Sequence, residues 1–443
     1  MNVIRYTQSD YPEAIAKLNR RAEASEGVVS VVSGVIREIR AGGDAALIEL
    51  TRRFDGAELT PETLAVSAGE LQGAWEAVAG ESEPAVAGAV CLREALEASF
   101  RNVHAFALHS LRKNWSAINE QGAEVGEVFY PFERVGIYVP GGTAPLVSTA
   151  LMTVTLAAAA GVPEIVVCTP CGPDGTIQTA LLAALKLAGA TEVYRVGGSQ
   201  AIAAMAYGTE SIRPVAKVFG PGNSYVVEAK RQVFGVVAID LLPGPSEVLI
   251  LADQTGDAAC IAADILAQAE HGKDSQAGFI TDDAGLLEAV LAEVQRQAET
   301  LGRQAMLRPV LEKGVFLILV PSMEEGAELV NQYAPEHLSL ITEREGEILP
   351  CIRTAGAIFL GNASPVAVGD FLAGPSHTLP TGGAGKSFPG LTVDMFQRRT
   401  SVIRLDKASC ARSEPIVKAF AAAEGLDAHG ESVSRRLGAG DGR

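Results

Sequence analysis

The stretch RVGIYVPGGTAPLVSTALMTVTLAAAAGVPEIVVCT (134–169) decides the fold class. It opens on a β-branched run, VGIYV (135–139), and breaks at Pro140–Gly141. An Ala-rich segment of helix length follows, and a second apolar run, EIVVCT (164–169), closes it. Strand, crossover helix and strand form the repeating unit of a parallel sheet. The texture recurs in EVYRV (192–196), AKVFG (216–220) and VVAIDLL (236–242), with helix-length stretches at 176–189 and 199–208. A second series follows: EVLILA (247–252), AGFITD (277–282), VFLILV (315–320), LSLIT (338–342) and AIFLG (357–361). Two α/β units are expected, built partly from discontinuous segments. Upstream of Arg134, apolar residues recur at three- and four-residue spacing between Gly-containing breaks, which predicts helices. From about Ser401 the pattern predicts a strand and two helices around a break near Gly425–Leu426, able to pack locally or to reach another subunit. The final LGAGDGR is expected to fray.

Composition narrows the function classes. The 443 residues carry 53 Asp+Glu against 36 Lys+Arg, a formal charge of −17, which argues against a nucleic-acid or anionic-membrane partner. The N-terminal MNVIRYTQSDYPEAI lacks the pattern of a secretory signal. The longest apolar run (145–162) is punctuated by Ser and Thr and reads as a buried helix, not a membrane span. Six scattered cysteines fit a reduced compartment, so a cytoplasmic location is expected. GGAGKS (382–387) imitates a phosphate loop but has Pro380 where the first Gly belongs. GPGNSY (220–225) ends in Tyr, so it is not a strict dinucleotide fingerprint. CTPC (168–171) reads as two small buried thiols at a strand end.

Four pieces carry chemistry. QAEHG (268–272) closes an amphipathic helix with Gln268 and His271 on one face and Gly272 as its stop. YAPEHLSL (333–340) has Pro335 at what reads as the first position of a helical turn. That placement predicts ionised Glu336 and neutral His337 at the positive end of a helix dipole. VAVGDFLAGPSHTLPTGG (366–383) reads as a Gly/Pro-punctuated loop bearing Asp370 and His377. AAAEGLDAHGESV (421–433) contributes Glu424 and His429. Each piece alone also fits ordinary polar surface: a helix end, a cap, a turn, a solvated helix. Together, carboxylate, imidazole and amide oxygen donors suit zinc, and the unusual Gln suggests an open, catalytic site.

These residues resemble the histidinol dehydrogenase family over nearly the whole chain. The resemblance rests on RVGIYVPGGTAPLVSTALM (134–152), VGGSQAIAA (196–204), FGPGNSYVVEAKRQVFG (219–235), GPSEVLILAD (244–253), QAEHGKDSQ (268–276), APEHL (334–338) and GDFLAGPSHTLPT (369–381). It implies an α/β fold of two incomplete Rossmann-like units with a helical N-terminal and a small C-terminal segment, intertwined as a homodimer. The implied segments are an N-terminal helical segment (1–33), a first α/β domain with the zinc and catalytic residues (34–133 and 245–380), an NAD-binding second domain (134–244), and a C-terminal segment reaching the partner subunit (381–443). By the same resemblance, Gln268, His271, Asp370 and His429 are the zinc ligands, His429 coming from the other subunit. Glu336 and His337 are the catalytic pair. Tyr138, Gln200 and Asn223 contact NAD, while Ser246 and Glu424 contact the substrate with His337 and the zinc ligands. The implied activity oxidises an alcohol to an aldehyde and then to a carboxylate, ending histidine biosynthesis, with two NAD used in turn.

Two positions depart from the family pattern. SPVAVGD (364–370) has Val366 where a Glu near the substrate amine is common, and GPSH has Ser376 where Asn is common. Val366 keeps a rival open: a dehydrogenase with the same zinc and NAD machinery acting on another small polar alcohol. A zinc hydrolase and a metal-stabilised assembly protein are the rivals from other classes.

Overall fold

The apolar runs become strands because both of their faces are covered. The structure, a computed structural model, describes residues 1–18, 25–81, 84–141, 146–302 and 304–438. Part of the deciding stretch (142–145) and the last five residues of the expected frayed tail (439–443) lie outside the described residues.

In chain order the strands are β1 (Asn2–Arg5), β2 (Trp115–Ile118), β3 (Glu124–Pro131), β4 (Arg134–Tyr138), β5 (Glu164–Thr169), β6 (Glu192–Arg195) and β7 (Lys217–Phe219). They continue with β8 (Ala238–Ile239), β9 (Glu247–Ala252), β10 (Gln276–Thr281), β11 (Val315–Leu319), β12 (His337–Ile341), β13 (Ala357–Leu360) and β14 (Gln397–Arg404). One parallel sheet runs β6-β5-β4-β7-β8, a second runs β1-β11-β10-β9-β12-β13, and β14-β3-β2 form a small antiparallel sheet. The fold is thus α/β with parallel sheets, as the alternation of strand and helix predicts.

β9 shows the physics in one strand. All six of its residues are buried. Val248, Ile250 and Ala252 pack on one side with Ile261, Ile265, Leu287 and Val290 of the Ala258–Ala269 and Ala284–Ala298 helices. Leu249 and Leu251 pack on the other with Met323, Ala327 and Val330 of the Met323–Tyr333 helix. Side chains alternate across a strand, so one covered on both faces is apolar along its length, here Val248–Ala252, while buried Glu247 at its start accepts a hydrogen bond from the Gly382 N–H.

The helices before Arg134 join the other sheet. Glu26–Asp55 runs as two helical lengths through a kink at Gly43 (φ 52°), the Gly break visible in the sequence. Val32, Val35 and Ile39 of this helix share a core with Leu71, Val78, Leu96 and Val103 and with β4 and β5. Of residues 34–133, expected to group with 245–380, the helical part between Val35 and Ala107 shares its core with the sheet of 134–239. Periodicity shows which face of a helix is buried but not against which sheet. The N-terminal segment, expected to be helical, also contributes β1, which adds to the edge of the second sheet beside β11.

The C-terminal part follows its sequence pattern: β14, then helices Lys407–Glu424 and Asp427–Gly438, broken at Gly425 in the left-handed conformation. The 145–162 run forms the buried helix Val147–Ala159. Among the described residues, no helix is long and apolar enough to cross a membrane.

Candidate active site

β9 and β12 lie side by side in parallel, with His337 opposite Val248, so the start of β12 meets the chain just ahead of β9. Here Glu336 and His337 are both buried. The expected helical turn at Pro335 is not present. The preceding helix ends at Ala334 in the left-handed region (φ 53°), and Pro335–Glu336 leads straight into β12. Pro335 suits a strand entry as well as a helix start, and a left-handed Ala is not visible in a sequence. The helix dipole expected from a turn at Pro335 is therefore not what acts on the pair.

Burial pushes the Glu336 carboxyl above its ordinary range, against the opposing pull of His337 and of two donors. Ser246 Oγ donates to Glu336 Oε2 at 2.7 Å, and the Glu247 N–H donates to the same oxygen at 2.8 Å. The folded carboxyl thus holds its proton to higher pH than the unfolded one, and stability falls as pH rises through the folded value. Glu336→Gln removes that titration. In the chelated protein, melting scans should show the variant matching wild type at acid pH and exceeding it at neutral pH. Parallel melting curves at every pH would contradict this account.

His337 Nδ1 lies 3.1 Å from the Glu247 carbonyl oxygen, which can only accept, so Nδ1 carries the proton. Nε2, the lone-pair nitrogen of the neutral ring, faces Asp370 Oδ1 at 3.6 Å. Glu336 Oε2 stands 3.6 Å from Nδ1. Asp370 sits not on a loop but on a short helix, Val366–Phe371, whose first N–H is accepted by the Asp264 carboxylate. Six residues are too few for a helical period to show. His377 ties this helix to the other unit: its Nδ1 donates to the Asp370 carbonyl at 3.0 Å, and Thr149 Oγ1 lies 3.1 Å from its Nε2. Burial pushes the His377 imidazole below its ordinary value, while Asp370 opposes that and His337 and His271 add to it.

His271, whose charge acts on His377, follows the Ala258–Ala269 helix that carries Gln268 in its last turn. The helix stops at Glu270, two residues before the expected Gly272, and His271 follows it. Its Nδ1 donates to the Ala267 carbonyl at 3.2 Å, so in the neutral ring Nε2 is the nitrogen with the lone pair. Gln268 is buried, and its Nε2 has no hydrogen-bond partner. Glu424 and His429 stand apart from this group, exposed on the C-terminal helices. Among the described residues, no three His, Cys, Asp or Glu side chains converge closely enough to hold a metal.

Tyr138, Gln200 and Asn223 line one cleft of about 860 Å³ at the ends of β4 and β6 and the start of the Ser224–Val233 helix. The Gly198 N–H donates to Tyr138 Oη at 3.2 Å, and Asn223 caps its helix by accepting from the Tyr225 and Val226 N–H groups. Gln200 is buried with Nε2 unpartnered. Cys168 and Cys171 stay structural, their thiols pushed up by burial to about 12 and about 11.

Three contributors escaped the sequence reading. The Glu247 backbone fixes both Glu336 and His337, Thr149 meets His377, and Asp55 reaches the cleft. The first acts through main-chain atoms, which carry no residue signature. The two departures from the family pattern also have a place. Val366 is buried in the apolar core beside Phe359, and Ser376 Oγ donates to the Met152 carbonyl at 2.9 Å.

Comparison with known proteins identifies the family. The family model described as histidinol dehydrogenase matches residues 18–437. Histidinol dehydrogenase of Rhizobium meliloti is 44% identical over 426 residues, covering 96% of each chain. That of Methanothermobacter thermautotrophicus is 42% identical, covering 98% of this chain and 99% of its own. The crystal structure of histidinol dehydrogenase from Elizabethkingia anophelis superposes with a TM-score of 0.91 at 35% identity, over 99% of this chain and 98% of that one. Agreement of this length, in sequence and in fold, makes the chain a member of the histidinol dehydrogenase family, a family of oxidoreductases.

Proposed function

We propose that the chain oxidises L-histidinol to L-histidine through L-histidinaldehyde, by two successive hydride transfers to NAD, as the last step of histidine biosynthesis. The observation that carries this reading is the His337 imidazole, buried, with Nδ1–H held by the Glu247 carbonyl and Nε2 free, beside a buried carboxylate. That is the tautomer a general base needs.

His337 Nε2 takes the hydroxyl proton as the carbon-bound hydrogen leaves with its electron pair. It acts again on the hydrated aldehyde. Glu336, held by Ser246 and the Glu247 N–H, takes a proton from the water that hydrates the aldehyde; its raised proton affinity suits that task. Asp370 faces Nε2 and favours the imidazolium that forms after each transfer.

Zinc and NAD fit the residues present. The orphaned amide of buried Gln268 can present its oxygen once turned, since amide oxygen and nitrogen are assigned by their surroundings. With the free Nε2 of His271 and the Asp370 carboxylate, it forms a mixed N/O donor set suited to zinc, one ion per subunit. The orphaned Gln200 and the cleft volume suit a dinucleotide held by Tyr138, Gln200 and Asn223, in a Rossmann-like unit. When bound, zinc supplies positive charge for the substrate's imidazole and amine, and NAD accepts hydride.

His429 is the fourth ligand, given by a second subunit, and Glu424 contacts the substrate with it. The C-terminal arm supports a homodimer with shared sites: Ile403, Phe420 and Ile416 are 69%, 65% and 46% exposed on a single chain. Mixing His429→Ala with His337→Ala, each inactive alone, tests the reading with L-histidinol and NAD. Random exchange leaves about a quarter of the sites intact, and activity should return to that level. No recovery despite proven exchange would put His429 in its own chain's site. Val366 favours a second reading, in which the same machinery oxidises another small polar alcohol; turnover of such an alcohol, with none of L-histidinol, would establish it.

A further inference from the structure

The cleft lined by Tyr138, Gln200 and Asn223 holds one acidic side chain that the reaction above does not use. Asp55 ends the Glu26–Asp55 helix, and Gly56 behind it takes φ 73°, so the carboxylate reaches the cleft from outside the sheet. The Gly197 N–H donates to that carboxylate, at the start of the Gly198–Tyr207 helix. The positive end of that helix favours a negative charge there. Oδ2 is closed off from solvent and has no partner. Gln200, 1% exposed on the same wall, has an unpartnered Nε2. Two unpartnered buried polar atoms in one cleft mark positions where ligand atoms complete the hydrogen bonding.

Burial pushes the Asp55 carboxyl up to about 6, so it is ionised at neutral pH and above. Among the described residues lining the cleft, Asp55 is the only one with a formal charge, and none is Lys, Arg or His. An ionised carboxylate accepts a hydroxyl donor and repels a phosphate. A cofactor phosphorylated on its ribose needs a cation nearby, and the described lining offers none.

We propose that Asp55 is a specificity-determining residue of the cofactor cleft, accepting a hydrogen bond from the adenosine ribose of NAD and excluding the 2′-phosphate of NADP. This rests on the reading of the cleft as the NAD site. The alternative role is purely architectural: Asp55 would only hold Gly197. Asp55→Asn separates the two, because its amide oxygen still accepts from Gly197 while the charge is lost.

Calorimetric titration of the full-length dimer with NAD and with NADP, without substrate, reads binding directly. Wild type should favour NAD. Asp55→Asn should narrow the NAD-over-NADP ratio by about tenfold or more, through weaker NAD and tighter NADP, with an unchanged melting temperature. An unchanged ratio in a folded variant overturns the proposal and leaves the cleft reading standing. If Asp55→Asn does not fold, Asp55→Ser serves the same comparison. If Gln200→Ala and Asn223→Ala also leave NAD binding untouched, the cleft reading fails and the proposal falls with it.

Discussion

His337→Ala is expected to lower kcat with L-histidinol by roughly a thousandfold, the scale at which a positioned general base acts. His337 is buried among fixed partners, so no nearby group replaces it. Its Nδ1 is occupied by the Glu247 carbonyl, Glu336 is engaged by Ser246, and the Asp370 carboxylate is taken up as a zinc ligand in the proposed site. NAD titration and bound-metal content should remain at wild-type levels, because the cleft residues and Gln268 and His271 lie on other elements. A variant with near-normal kcat would remove His337 from the chemistry. A variant that also lost NAD binding would point to a structural role. Rescue of the rate by added imidazole would further identify the missing function as proton transfer.

The second large effect is on stability. Lys230→Met is expected to cost about 3–5 kcal/mol, because it strips a buried carboxylate of its neutralising partner. Lys230 and Asp240 form an ion pair with both side chains fully buried. Lys230 Nζ also donates to the Gly220 carbonyl at 2.8 Å, and Asp240 Oδ2 accepts from the Gly220 N–H at 2.8 Å. The pair therefore clamps Gly220 from both sides. Gly220 has φ 108°, and a Cβ there would run into the Tyr138 carbonyl, so only glycine passes this point. The chain then reaches Asn223, whose side chain caps the Ser224–Val233 helix at the cleft. The melting temperature should drop by about 3–5 °C in Lys230→Met, with weakened NAD binding. Adding Asp240→Asn should recover part of the loss, since the stranded charge is then gone. Equal melting temperatures for wild type and Lys230→Met would contradict the clamp.

What the sequence made legible follows from where burial is two-sided. EVLILA (247–252) coincides with β9 because each face of its apolar stretch Val248–Ala252 meets a helix layer. The same holds for β11, where VFLIL is buried throughout. The Gly425 break was equally plain, because a left-handed helix end selects glycine. Failures came where the local signal supports two outcomes. Pro335 opens helices and strands alike, and the turn that decided between them is an alanine in a glycine conformation. Asp370 looked like a loop residue because its helix is a turn and a half long.

Ser246, Glu247, Glu336 and His337 come together because β9 and β12 are neighbours, whereas QAEHG lies at the end of the Ala258–Ala269 helix, ahead of β10. Glu424 and His429 stay exposed within one chain, and the role proposed for them calls for a second subunit that local pattern does not describe. Asp55 was overlooked for the opposite reason. Its segment, RRFDG, has the ordinary look of a helix end, and only the fold brings that end to the cleft.

The central claim, two oxidations in one site, is tested most directly by stoichiometry. Limiting L-histidinol, excess NAD and the metal-loaded protein should yield two NADH and one L-histidine per substrate consumed, without accumulated aldehyde, and chelation should abolish the reaction until zinc is restored. One NADH per substrate with aldehyde released, or full activity after the metal is stripped, would contradict the account.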